Sequence, residues 1–241
     1  MRKKPEKAYK DSIFINSPEA RVIRILSEYL EPQKRFREMK VNNTVLFLGS
    51  ARVHSDRPDS PLYRFYQEAE ELAFQLAEWA IKLKPKGKNF VICTGGGPGL
   101  MEAANRGTSR AGGKSIGLNI SLPHEQAQNP FVSPELSFVF HYFFMRKFWL
   151  ANMAKAIITF PGGFGTLDEL FELLTLIQTG KINKNGLVVL LYGEEYWNKI
   201  IDFNELVKNK TISKEDMNLF TFQSDPLKAF DFLKKRLVKY L

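Results

Sequence analysis

"AIITFPGGFGTLDELFELLTLIQTG", residues 156–180, changes its period partway along. Residues 156–160 are a short continuous apolar run, the pattern of a strand buried on both faces. From Thr166 the apolar positions recur at helical spacing until Gly180, a residue type suited to the left-handed turn that closes a helix. Between them lie Pro161, Gly162, Gly163, Phe164 and Gly165. Strand, glycine turn and helix in that order are half of a parallel βαβ unit. The turn also poses a chemical question. Bare N–H groups at a helix start attract anions, yet Asp168, Glu169 and Glu172 follow at once and repel them.

The alternation extends in both directions. TVLFLGSA (44–51), NFVICTGGGPG (89–99), KSIGLNISL (114–122), ELSFVFHYF (135–143), GLVVLLYG (186–193) and LFTFQ (219–223) read as further strands. PLYRFYQEAEELAFQLAEWAIKL (61–83), LMEAANRGTSRAG (100–112), MRKFWLANMAK (145–155), EYWNKIIDFNELVKN (195–209) and DPLKAFDFLKKRLVKYL (225–241) read as helices. Ahead of them, SPEARVIRILSEYLEPQKRFREMK (17–40) predicts one or two helices, with Ser17 as N-cap and Pro18 at the first helical position. The expected fold class is α/β. It is a Rossmann-like, doubly wound, mostly parallel sheet with helices on both faces and extra N- and C-terminal helices. No repeat, linker or low-complexity segment divides the chain. One domain is expected over 1–241, with a helical extension over 1–40 and a strand and helix over 206–241.

Composition narrows the function. The 44% hydrophobic and 25% charged residues are ordinary globular usage, enough for a sizeable core. Cys93 is the only cysteine, so neither an intramolecular disulfide nor a cysteine-rich zinc site is expected. His54, His124 and His141 lie apart without ligand spacing, and no metal is expected. No apolar run reaches membrane-spanning length, and the basic start lacks the apolar stretch of a signal peptide, which predicts a cytoplasmic protein without membrane contact. The net charge of +9 lies in the ends: 11 Lys/Arg against 6 Asp/Glu over 1–40, 8 against 4 over 206–241, and 16 of each between. A nucleic-acid footprint needs a clustered stripe, so none is expected.

In a doubly wound sheet, ligands sit outside the carboxyl ends of the strands where the strand order reverses. Three strands end there in small residues: Gly49-Ser50, the run Gly95-Gly96-Gly97-Pro98-Gly99, and Pro161-Gly162-Gly163-Phe164-Gly165-Thr166. Glycine also serves tight strand-to-helix turns, but three such ends in one chain point to a nucleotide or phosphate. Pro98 and Met101 do not suit a dinucleotide fingerprint, and no Walker lysine follows either loop, so a mononucleotide is expected. Ser50 sits in no G-x-S-x-G elbow and reads as a turn or phosphate hydroxyl.

PGGFGTLDE (161–169), with Arg146-Lys147 and TGGGPGLMEAAN (94–105), resembles the Lonely Guy (LOG) family of cytokinin riboside 5′-monophosphate phosphoribohydrolases. The likeness extends across about 44–205, and the P-G-G-x-G-T-x-x-E match is complete. Similar chains have been labelled lysine decarboxylases, but nothing here resembles a pyridoxal phosphate site, and no cofactor is expected. The resemblance implies a modified Rossmann fold, a homodimer or higher homo-oligomer, and hydrolysis of the N-glycosidic bond of AMP or N6-substituted AMP. It implies Arg146 and Glu169 as the catalytic pair. Lys147, Gly163, Gly165, Thr166 and Thr175 would line the nucleotide site, with Glu125 reaching it. Phe144 stands where many shorter relatives have histidine, and GSAR (49–52) replaces their serine-rich turn.

The chemistry of glycoside cleavage answers the opening question independently. An oxocarbenium-like ribosyl centre calls for a carboxylate, while the 5′-phosphate nearby calls for N–H groups at a helix start. Gly163 to Thr166 would serve the phosphate and Glu169, one turn on, the sugar. Asp168 reads as a carboxylate complementing the helix dipole, and Glu172 as a partner or an exposed face. The competing expectation is a non-catalytic nucleotide or molybdenum-cofactor binding protein of similar fold, which needs the glycine loops but not the Arg146–Glu169 pair.

Overall fold

A computed structural model describes residues 5–86, 88–123, 128–183 and 186–239. Seven strands, β1 (Thr44–Leu48), β2 (Val91–Thr94), β3 (Ser115–Ile120), β4 (Ser137–Phe140), β5 (Ala154–Thr159), β6 (Val188–Tyr192) and β7 (Thr221–Gln223), form one sheet in the order β4-β3-β2-β1-β5-β6-β7. Every neighbouring pair is parallel, so the expected mostly parallel sheet is parallel throughout. Strand order reverses between β1 and β5, which places the ligand crevice of a doubly wound fold there.

Side-chain alternation along each strand feeds two cores. Val45 and Phe47 of β1, Ala156 and Ile158 of β5, and Leu190 and Tyr192 of β6 face a layer made by α3 (Tyr63–Leu83), α4 (Leu100–Arg110) and α9 (Pro226–Leu237). Leu46, Leu48, Ile157, Val189 and Leu191 face the opposite layer. That layer holds α2 (Arg21–Glu38), α5 (Phe143–Asn152), α6 (Phe164–Gln178), α7 (Glu194–Ile200) and α8 (Phe203–Lys208). Both terminal extensions thus pack on the sheet, α2 on one face and α9 on the other. Both faces of the sheet are covered, as its continuous apolar strands require.

Several local expectations change. Ser17 is not an N-cap: a short α1 (Ser12–Ile15), capped by Asp11, comes first, and α2 starts only after Ala20. The Arg24 guanidinium donates to the carbonyls of Ile15 and Ser17, both at 2.6 Å, and these bonds bind the kinked chain between the two helices. The helix expected over 195–209 is two, because Ile201 is extended and Asp202 accepts the Glu205 N–H to begin α8. The strand expected over 135–143 ends at Phe140, and α5 begins at Phe143, so Arg146 and Lys147 lie in its first turns.

Candidate active site

The ends of β1 and β5 are joined beyond the last ladder pair. Phe160 N–H donates to Leu48 O (2.8 Å), and Ser50 N–H to Pro161 O (3.0 Å). Leu100 N–H in turn donates to Ser50 O (3.0 Å), which draws the start of α4 to the same edge. These bonds leave an open cleft of about 650 Å³ between the loop after β1 and the start of α6. Gly49, Ser50, Arg146, Gly162, Gly163, Gly165, Thr166 and Glu169 line it, as do Gly95, Arg52 and Tyr196.

Glu169 is buried, only 7% exposed, whereas the neighbouring Asp168 side chain is 59% exposed. Successive residues on a helix differ by about 100°. The rotation that turns Glu169 inward therefore turns Asp168 toward solvent. Arg146 meets Glu169 from α5, with Nη1 3.5 Å from Oε1, while its Nε donates to the Leu118 carbonyl at 2.8 Å. Burial raises the Glu169 carboxyl above the usual value, and the charges of Arg146 and Lys147 oppose that rise. Burial also lowers the Arg146 guanidinium from its usual value, with Glu169 opposing, but arginine stays charged.

Glycines in the cleft divide into two kinds. A Cβ on Gly95 would lie 2.7 Å from Arg146 Nη2, and one on Gly162 would lie 2.1 Å from Thr166 Oγ1. Those two positions are bare so that the protein can pack against itself. Around Gly163 and Gly165 a Cβ would meet nothing within 4 Å. Their bareness serves no neighbour in the chain. It leaves the start of α6 open to a ligand, and Gly163 at the N-cap offers no side-chain acceptor to the helix N–H groups.

Other expected residues lie apart from the cleft. Gly96 and Gly97 are buried behind it: Asn129 Nδ2 donates to their carbonyls at 3.0 and 2.9 Å, and Gly95 alone of that triplet faces the cleft. Lys147 approaches Glu169 from outside at 3.7 Å and pairs with Asp168 (2.8 Å) and Glu172 (2.6 Å). Thr175 is exposed, bonds its own helix at Phe171 O, and lines a separate shallow hollow with Lys147. Glu125 lies outside the described residues.

Sequence reasoning missed Arg52 and Tyr196. Tyr196 comes from α7 after β6 and donates its hydroxyl to Gly162 O at 2.9 Å, which steadies the glycine turn. The signal was there: β6 ends at the same sheet edge, but in one glycine, Gly193, rather than a run.

Parallel topology and a crevice at the reversal of strand order define a Rossmann-like α/β protein with its candidate site at the switch point. A family model described as "Possible lysine decarboxylase" matches residues 101–233. A probable cytokinin riboside 5′-monophosphate phosphoribohydrolase LOG4 of Oryza sativa subsp. japonica is 30% identical over 183 residues, 75% of this chain and 71% of that protein. The cytokinin riboside 5′-monophosphate phosphoribohydrolase of Rhodococcoides fascians is 31% identical over 135 residues, 54% of this chain and 65% of that protein. The chain belongs to the LOG family. Its fold is shared by the molybdenum cofactor carrier protein of Chlamydomonas reinhardtii, at a TM-score of 0.54 and 20% identity over 82% of this chain and 99% of that one.

The decarboxylase description does not suit Lys147. A Schiff-base lysine must lose its proton. Burial draws Lys147 down, but its hydrogen bonds to Asp168 and Glu172 and the charges of Glu169 and Glu172 together outweigh that and push it up to about 12.

Proposed function

We propose that this protein hydrolyses the N-glycosidic bond of AMP or an N6-substituted AMP, releasing the free base and ribose 5-phosphate. One observation carries the reading. The buried Glu169–Arg146 pair and the bare start of α6 share a single cleft. The α6 N–H groups around Gly163 to Thr166 would take the 5′-phosphate, leaving C1′ of the ribose toward Glu169. As the C1′–N9 bond breaks, its electron pair leaves on the base and positive charge grows on the sugar. The Glu169 carboxylate, ionised beside Arg146, stabilises that charge and accepts a proton from the attacking water. Net addition is hydroxide to C1′ and a proton to the base. The names of the relatives support this reaction class.

AMP incubated with the protein should yield adenine, while adenosine should not, because binding at the phosphate helps position the glycosidic bond. Equal turnover of the two would remove the phosphate role of α6. Tight AMP binding without adenine release would favour the non-catalytic nucleotide-binding reading.

A further inference from the structure

Residues 21–38 lie outside the segment matched by the family model, yet α2 reaches the helix that carries Arg146. The start of α5 has no cap of its own: Tyr142 occupies the N-cap position and supplies no side-chain hydrogen bond. Glu28 of α2 supplies one instead. Its carboxylate accepts the His141 N–H at 2.8 Å and the Tyr142 N–H at 3.2 Å, through one oxygen each. The Glu28 backbone carbonyl also accepts Trp149 Nε1–H at 3.1 Å, about two turns further along α5. Phe36 packs on Trp149 with ring centroids 5.3 Å apart, and Tyr29 on both Phe148 and Trp149 at 5.6 and 5.7 Å. Arg35 fastens the same helix to the strand side, lying 3.8 Å over the Phe138 ring and donating to Glu135 O at 3.3 Å.

Tyr142 is also the link to chemistry. Its carbonyl accepts the Arg146 backbone N–H at 3.1 Å, so the residue that Glu28 grips is one hydrogen bond from the arginine. The guanidinium must span from Leu118 O at 2.8 Å to Glu169 at 3.5 Å, and a shift of α5 along its axis spoils both. A carboxylate at a helix N-terminus opposes such a shift through its charge and through two directed bonds.

We propose that Glu28 is a positioning residue for the reaction: the N-terminal extension clamps the start of α5 through Glu28 and so sets Arg146 against Glu169. The inference rests on the proposed hydrolysis for its kinetic consequence, though not for its geometry. The clamp makes the extension part of the working site rather than an appended surface helix.

Glu28→Ala and Glu28→Gln test it, each assayed with AMP below its measured melting temperature. With Arg146 displaced, kcat of Glu28→Ala should fall about tenfold or more while KM changes little, since misplacement by about 1 Å is costly to turnover. Glu28→Gln keeps one acceptor oxygen and should recover most of the loss. A second readout separates positioning from simple stability. Glu169 faces Arg146 and Lys147 from α5 and Asp168 and Glu172 from its own helix, with Cys93 of β2 also near Arg146. Moving Arg146 away removes the largest opposing charge, so the acid limb of kcat/KM should move to higher pH in Glu28→Ala. Unchanged kcat and an unmoved limb in a folded Glu28→Ala would overturn the proposal. Should Glu28→Ala not fold, Glu28→Leu, which keeps the side-chain volume and offers no acceptor oxygen to His141 or Tyr142, decides in its place: wild-type kcat with an unmoved limb overturns the proposal, and reduced kcat with a raised limb supports it. When the wild type cleaves no AMP, titration of the Glu169 carboxyl by NMR without substrate tests the clamp in the same way. A wild type inert toward AMP overturns the reaction alone, while an unshifted Glu169 titration in folded Glu28→Ala overturns the clamp alone.

Discussion

Glu169 and Asp168 are adjacent in the chain and opposite in consequence. Glu169→Gln keeps shape and removes charge. AMP turnover should fall by roughly 10²-fold or more, as for loss of one general acid/base group. AMP binding should survive or tighten, because a negative charge near the phosphate has gone. Asp168→Asn, at the exposed neighbour, should keep most activity in the same assay. Had Glu169 been a dipole carboxylate, its loss would destabilise the fold, but its burial reverses that expectation. A carboxyl whose folded pKa is raised holds its proton after the unfolded chain has released it. Stability is therefore lost as pH rises from the unfolded value of 4.5 through the folded one. The Gln variant should melt no lower than wild type at pH 7, and any gain should vanish below pH 4.5. For the same reason, wild-type kcat/KM should rise with pH along a limb centred above 4.5. A pH–rate profile with its midpoint at or below that value would contradict the role of Glu169.

At the scale of an element, α6 begins two residues earlier than its apolar period suggested, at Phe164. Gly165 and Thr166 are therefore inside its first turn, and Gly163 is its N-cap. This separates fold from function at one residue. Gly165 is in a helix with open space around it, so Gly165→Ala should add stability, by about 0.5–1 kcal/mol from helix propensity. The same methyl group projects into the space proposed for phosphate. We expect a higher melting temperature together with a several-fold higher KM for AMP, and no matching change in the inhibition constant of adenosine, which lacks the phosphate. Gly162→Ala should behave oppositely and destabilise, because its Cβ would collide with Thr166. If Gly165→Ala left KM for AMP unchanged, the start of α6 would not be the phosphate cradle.

For the whole molecule, the exposed aromatics carry the expectation of assembly. Phe143, Phe144 and Phe148 of α5 are 51%, 50% and 40% exposed, and Phe164 at the lip of the cleft is 93% exposed. Exposed apolar residues gathered on two neighbouring helices mark an interaction surface more often than a solvated one. We expect a dimer or larger at micromolar concentration, with α5 or α6 at the interface. Light scattering should return at least twice the 27.7 kDa chain mass, and a value near that mass would contradict it. Among the described residues, no helix is long and apolar enough to cross a membrane.

Local periodicity is written by neighbours in the chain, and it was legible. The apolar strand runs, the helical spacing after Thr166 and the glycine-rich ends at one sheet edge announced a doubly wound sheet with a crevice at its switch point. The P-G-G-x-G-T-x-x-E motif announced the family. Boundaries shifted where a contact from elsewhere took over, as Arg24 does between α1 and α2. Burial and pairing were not legible, because they depend on residues distant in sequence. Nothing local says that Glu169 is enclosed and Asp168 is not, since Arg146 lies 23 residues away. Gly95, rather than Gly96 or Gly97, faces the cleft because Asn129, 32 and 33 residues on, draws the other two carbonyls inward. Glu28 and His141 stand 113 residues apart, and only the packing of α2 against α5 brings that carboxylate to an uncapped helix start. The sequence by itself determined which elements form and which chemistry their loops could host. The tertiary structure decided which carboxylate is buried, which glycines have open space around them, and which distant carboxylate meets the start of α5, because those are distances through space.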